Sequence, residues 1–163
     1  MKPLLKRTLL ALSLLSLIAC DQVAKTIARD NLALSPPVSY LDGLVRLMYT
    51  ENPGSFLGLG AQLPETVRTL LGVLTGAAVI VGLLLLFKYS TQMHRIKLLG
   101  FTLLLGGACG NLVDRVTNEG RVIDFMVLGV GEIHTGVFNI ADVFILAGVI
   151  IAVFASGKRQ PSN

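Results

Sequence analysis

Apolar positions along this chain gather into four long runs separated by polar stretches. The first covers about Thr8–Ala28, the second Thr69–Phe87, the third Leu98–Val113 and the fourth Val137–Ser156. The second and third carry no charge, and the fourth carries only Asp142. A helix needs about 20 mostly apolar residues to cross a bilayer, so each run is a candidate span. Between spans one and two lies a long polar segment, about residues 29–68, and between three and four a shorter one, about 115–136. Within the longer segment, Val38-Ser-Tyr-Leu and Val45-Arg-Leu-Met-Tyr alternate around Asp42-Gly43. That pattern predicts a small hairpin or strand platform. The expected fold is an all-α membrane protein of four transmembrane helices, with a small β-type platform in the first outer loop.

Composition narrows the class. At 163 residues, 53% hydrophobic and 15% charged, the chain has too few charged groups to cover a soluble surface. A mean hydropathy of +0.71 excludes a disordered chain. Seventeen glycines and no tryptophan favour closely packed helices over a barrel with aromatic girdles. Cys20 and Cys109 stand apart, with no CxxC or Cys/His cluster, so neither a disulfide framework nor a zinc site is indicated. Gly72-x-x-x-Gly76 and Gly106-x-x-x-Gly110 read as packing positions. One domain covering residues 1–163 is expected.

The net charge of +4 sets orientation. Lys2, Lys6, Arg7, Lys88, Arg95, Lys97, Lys158 and Arg159 all fall at the termini or in the short loop between spans two and three. The other six basic residues and all ten acidic ones fall on the opposite side. The positive-inside rule puts both termini in the cytoplasm and the two longer loops outside. No basic face with base readers occurs, so nucleic acid is not the partner.

The N-terminus admits a second reading. Lys2, Lys6 and Arg7, an apolar stretch, and Leu17-Ile-Ala-Cys20 resemble a lipoprotein signal ending in a lipidation site at Cys20. Three further spans follow, and Asp21 and Lys25 continue the run at helical i, i+4 spacing, so a first span is the preferred reading.

Ionisable groups at membrane depth are costly and mark functional sites by default. Asp21 and Lys25 fall near the outer end of span one, and Asp114 and Arg115 at the outer end of span three. Asp142 falls about five residues into span four, roughly 7–8 Å of helix. Asp124 interrupts the apolar run Val122–Leu128 of the second outer loop. All can meet at one level. Such pairs can also serve only as helix–helix glue. Two carboxylates brought together share a proton, so one can activate water while the other donates. Asn111 and Asn139 each precede an acid by three residues, a spacing that shares a helix face and could orient a buried carboxyl. No GxSxG or HExxH motif offers a rival nucleophile.

At these residues the chain resembles the lipoprotein signal peptidase (signal peptidase II) family. The resemblance rests on Asp21-Gln-Val-Ala-Lys25, Asn52-Pro-Gly54-Ser-Phe56, Gly106-Gly-Ala-Cys-Gly110-Asn111-Leu-Val-Asp114-Arg115, Val122-Ile-Asp124-Phe125 and Phe138-Asn139-Ile-Ala141-Asp142. It implies an intramembrane aspartyl endopeptidase of the bacterial cytoplasmic membrane, with its site at the outer face. Such enzymes cut signal peptides from diacylglyceryl-modified prolipoproteins just before the lipidated Cys. By resemblance the catalytic pair is Asp124 and Asp142, with Asp114 the rival for one place and otherwise a support paired with Arg115. Asn111 and Asn139 are dyad-orienting, and Ala141 belongs to the supporting set. Asn52, Gly54 and Arg115 contact substrate or inhibitor, and Asp21 and Lys25 are structural. Membrane lipid and cyclic-peptide inhibitors such as globomycin are the implied partners, and neither a metal nor an organic cofactor is called for. The segment from Asn52 to Phe56 is one residue shorter than the family's usual Asn-x-Gly-Ala-Ala-Phe, and the usual aromatic-Pro before Phe138 is replaced by His134-Thr-Gly-Val137.

Two rival classes stay open on the residues alone. A non-enzymatic membrane protein would use these acids as glue or as a proton relay. A serine–lysine peptidase would use Ser55 and Lys25, but acids around Lys25 would keep it charged and unable to act as a base.

Overall fold

The computed structural model describes residues 2–54, 59–131 and 133–156, and of Ser156 the backbone alone. Ser55, Phe56, Lys158 and Arg159, named above as candidate or topology residues, lie outside this set. Four helices carry the architecture: α1 (Pro3–Leu32), α2 (Glu65–Tyr89), α3 (Arg95–Thr117) and α4 (Ile140–Ser156). Pro3 at the first position suits a helix start, since its missing N–H would have had no partner there. The helix then runs unbroken through Cys20 for 30 residues, about 45 Å. α1, α2 and α3 are long and apolar enough to cross a membrane, while α4 is apolar but shorter.

Leu12, Leu15, Leu74, Leu84, Val153 and Phe154 are exposed on these helices, an arrangement suited to lipid rather than water. Leu10, Leu14, Leu86 and Leu105 form a small apolar core away from the sheet. α3 is the central helix and packs against α1, α2 and α4. Two of its glycines make this possible. A Cβ on Gly110 would stand 2.5 Å from Asp21 Oδ2, and one on Gly107 would strike the Ala141 carbonyl. Only a residue without a side chain lets the three backbones approach this closely.

The segments between the helices contribute a four-stranded antiparallel sheet in the order β1 (Val38–Tyr40), β2 (Val45–Asn52), β3 (Val122–Val130) and β4 (Ile133–His134). A single 3-10 turn over Leu41–Gly43 joins β1 to β2, with Asp42 and Gly43 at positive φ. The hairpin expected around Asp42-Gly43 is therefore present. The platform is larger than expected, however, and is not confined to the segment 29–68. β3 comes from the segment 115–136, and pairs Thr50 with Asp124 and Asn52 with Val122. Val122–Phe125 are buried, so the strand shows an apolar run instead of alternation.

Candidate active site

The ends of three elements converge. The last turns of α3 supply Asn111, Asp114 and Arg115, the buried start of β3 supplies Asp124, and the first turn of α4 supplies Asp142. Backbone hydrogen bonds from Phe125 and Met126 to the Phe138 carbonyl, returned by Phe138 to Met126, clip the entrance of α4 onto β3. That clip brings Asn139 beside Asp124.

Asn139 and Asp142 form a reciprocal cap. Asp142 N–H donates to Asn139 Oδ1 at 3.0 Å, and Asn139 N–H donates to Asp142 Oδ2 at 3.3 Å. This is the capping-box pattern with Asp in the third helical position. It corrects two expectations. Asn139 does not share a helical face with Asp142 but stands just outside the helix, and Asp142 is the third residue of α4 rather than about the fifth. The free Asn139 amide reaches the other way, donating to Asp124 Oδ1 at 2.6 Å and to Asn111 Oδ1 at 3.1 Å. One side chain thus touches both expected dyad members.

The second amide completes the frame. Asn111 Nδ2 donates to Asp142 Oδ1 at 2.9 Å, while its Oδ1 accepts from Lys25 Nζ at 2.9 Å. Asn52 lies diagonally across the sheet from Asp124 and donates to its Oδ2 at 2.9 Å. Asn52 Oδ1 in turn accepts from Gly54 N–H at 2.8 Å. Asp124, Asp142, Asn111, Asn139 and Asn52 are all buried. Burial pushes the Asp124 carboxyl up to about 6, and the charge of Asp142 adds to the rise. The amides of Asn52 and Asn139 act in the opposite direction.

Asp21, Lys25 and Asp114 make an adjoining, almost completely buried ionic cluster. Lys25 Nζ stands 2.7 Å from Asp21 Oδ2 and 2.9 Å from Asp114 Oδ2. With Asn111 Oδ1 as the third acceptor, all three ammonium protons are engaged. Asp21 Oδ1 accepts from Ala141 N–H at 2.9 Å, tying α1 to the first turn of α4. Asp114 Oδ2 also accepts from Ile123 N–H at 3.0 Å, and its Oδ1 from Gln22 Nε2 at 2.8 Å. The expected Asp114–Arg115 pairing is therefore wrong. Sequence neighbours on a helix do not face each other, and Asp114 turns to α1 while Arg115 turns away. Arg115 Nη2 donates to the Gly54 carbonyl at 2.9 Å, holding the chain after β2 against α3. All the expected site residues thus belong to one connected region, with Ala141 contributing through its backbone. Gln22 was missed as a site residue, although it sits inside the Asp21–Lys25 motif.

A profile of the signal peptidase (SPase) II family matches residues 13–157. The lipoprotein signal peptidase of Desulforapulum autotrophicum is 33% identical over 150 residues, covering 91% of this chain and 92% of that one. That of Streptococcus pneumoniae is 31% identical, covering 95% and 96%. That of Moorella thermoacetica is 35% identical, covering 84% and 85%. A bacterial membrane enzyme solved by the in meso method has the same fold, with a TM-score of 0.74 over 96% of this chain and 95% of that one, at 22% identity. The profile match over most of the length, and relatives above 30% identity along nearly the whole of both chains, carry one conclusion: the chain belongs to the signal peptidase II family and is a peptidase of the membrane.

Proposed function

We propose that the protein is an aspartyl endopeptidase of the bacterial cytoplasmic membrane. It removes signal peptides from diacylglyceryl-modified prolipoproteins, cutting before the lipidated Cys. All four helices cross the bilayer, both termini are cytoplasmic, and the sheet and the buried acids face outward, following the distribution of basic residues. The observation that carries the reading is the bridge made by Asn139, which caps Asp142 with one end of its amide and donates to Asp124 with the other. Two carboxyls held by one residue, Asp124 by the Asn139 side chain and Asp142 by the Asn139 backbone N–H, are arranged for proton-shared hydrolysis of a peptide bond.

In this mechanism Asp124, whose carboxyl is pushed up to about 6, holds the shared proton. Asp142, at the N-terminal turn of α4 where negative charge is favoured, is the base. It takes a proton from a water whose oxygen attacks the scissile carbonyl carbon. Asp124 donates toward the developing oxyanion, and the C–N bond then breaks as the amine leaves with a proton. Asn111 and Asn139 hold the two carboxyls in orientation. Asn52, Gly54 and Arg115 line the approach of the substrate backbone, and cyclic peptides such as globomycin would compete there. Asp21, Lys25 and Asp114 are the structural base of the site.

Mass spectrometry of a reaction with purified protein tests this. A diacylglyceryl-modified prolipoprotein should yield a mature chain beginning at the lipidated Cys, and the unlipidated precursor should stay intact. Equal cleavage of both, or of neither, contradicts the reading.

A further inference from the structure

A cavity of ≈ 580 Å³ opens between α2 and α3, and its wall includes Gly54 and Arg115, placed above on the approach of the substrate, while the buried acids do not line it. Its size is in the range of small-molecule and lipid sites. The wall is divided. Arg68, Arg115 and Arg121 stand at its polar part, and Leu71, Gly72 and Leu112 at its apolar part. Two of the three cations are engaged elsewhere. Arg115 donates to the Gly54 carbonyl, and Arg121 pairs with Glu51 at 3.1 Å. Glu65 and Glu119 also line the cavity, yet neither forms an ion pair with Arg68 among the described residues. Arg68 Nε is buried and has no hydrogen-bond partner among the described residues. A buried donor on a charged group left unmet is expensive, so its natural complement is an acceptor from outside the protein.

Position identifies the acceptor. Arg68 is on the first turn of α2, where the span meets water whichever way the chain is oriented. One turn further into the span is Gly72, where an added Cβ would meet nothing within 4 Å. At Gly76, the next turn down, it would stand 3.3 Å from Leu112. The open space beneath Arg68 therefore narrows toward the middle of the helix, as a slot for an alkyl chain would. A guanidinium above an apolar slot at the bilayer boundary matches a phosphodiester above an acyl chain. We propose that this cavity binds a glycerophospholipid, with its phosphate on Arg68 and one acyl chain along Gly72 and Leu112. The site does not depend on which acids carry catalysis.

Binding to the full-length protein in a neutral detergent tests it, with calorimetry or thermal shift as the readout. The probes are dihexanoyl phosphatidylglycerol, dihexanoylglycerol and glycerol 3-phosphate. Saturable binding of phosphatidylglycerol is expected, at least about tenfold tighter than either fragment. Arg68→Gln should weaken it by about tenfold or more, with Arg68→Lys between the two. Gly72→Leu should weaken it by filling the slot, and it has room to fold. Equal binding of dihexanoylglycerol overturns the phosphate contact, and equal binding of glycerol 3-phosphate overturns the acyl slot. Unchanged binding in Arg68→Gln, or displacement only by an acidic peptide, overturns the site. Prolipoprotein cleavage is scored apart, so a failed peptidase assignment leaves the lipid result readable.

Discussion

Lys25 Nζ stands 2.9 Å from Asn111 Oδ1, and this contact decides which end of the Asn111 amide faces Asp142. An ammonium can only donate, so it holds the amide oxygen and turns the NH2 toward the carboxylate. The same oxygen receives the Asn139 amide, which in turn donates to Asp124. A lysine on α1 thereby sets the donor direction at both acids without touching either.

Lys25→Met should destabilise the protein by about 3–5 kcal/mol, because Asp21 and Asp114 would be left buried without their partner charge. Denaturant unfolding in detergent measures it. Adding Asp21→Asn and Asp114→Asn to the same chain should recover part of the loss. A loss below about 1 kcal/mol, the range of an exposed ion pair, contradicts a desolvated cluster.

Asn139→Ser separates the two jobs of that residue. Serine caps a helix about as well as asparagine, so stability should fall by less than about 1 kcal/mol. It cannot reach Asp124 with an amide, so kcat should drop by at least about tenfold, equivalent to about 1.4 kcal/mol of barrier. If the two losses match in size, the amide bridge has no separate role in the reaction.

The pH profile follows from Asp124. Burial raises its carboxyl to about 6, so it keeps its proton to a higher pH than an ordinary aspartate and loses it as pH rises through that value. If the protonated form is the donor, kcat/KM falls on the alkaline side, by about tenfold per pH unit beyond the apparent value. On the proposed mechanism the two acids share a proton, so the limb belongs to the pair and not to Asp124 alone. Cleavage of a lipidated peptide from pH 5 to 8 measures this, and a flat profile contradicts it.

Asp114→Asn should act on the fold. Both Asp114 oxygens are engaged, by Lys25 and Ile123 N–H on one side and Gln22 on the other. Loss of the charge should cost about 3–5 kcal/mol, as expected for breaking a buried pair. Activity per folded molecule should stay within a few-fold of the parent. Full stability with no cleavage would return Asp114 to the dyad.

Much of this architecture was legible in the order of residues. Apolar runs located four helices, Asp42-Gly43 marked the hairpin, and the charged residues at span ends named the cluster. β3 was not legible as a strand, because Val122–Phe125 are buried and the alternation that marks a half-exposed strand is missing. The partner of Asp114 was hidden for another reason. Arg115 is adjacent, but the ion pair forms with Lys25 on another helix, and only the α1–α3 approach permitted by Gly110 brings them together. The Asn139–Asp142 spacing reads in the sequence as a shared helix face, and in the structure it is a cap. The backbone clip at Phe138, which halts the chain just before α4, selects the cap.

The central claim is that Asp124 and Asp142 are the reacting pair. The most direct measurement is cleavage of a diacylglyceryl prolipoprotein by folded, membrane-inserted Asp124→Asn, Asp142→Asn and Asp114→Asn proteins in parallel. The account requires cleavage to be abolished in the first two and to persist in the third in proportion to its folded fraction. Retained cleavage in Asp142→Asn, or a dead Asp114→Asn beside a working Asp124→Asn, would contradict it.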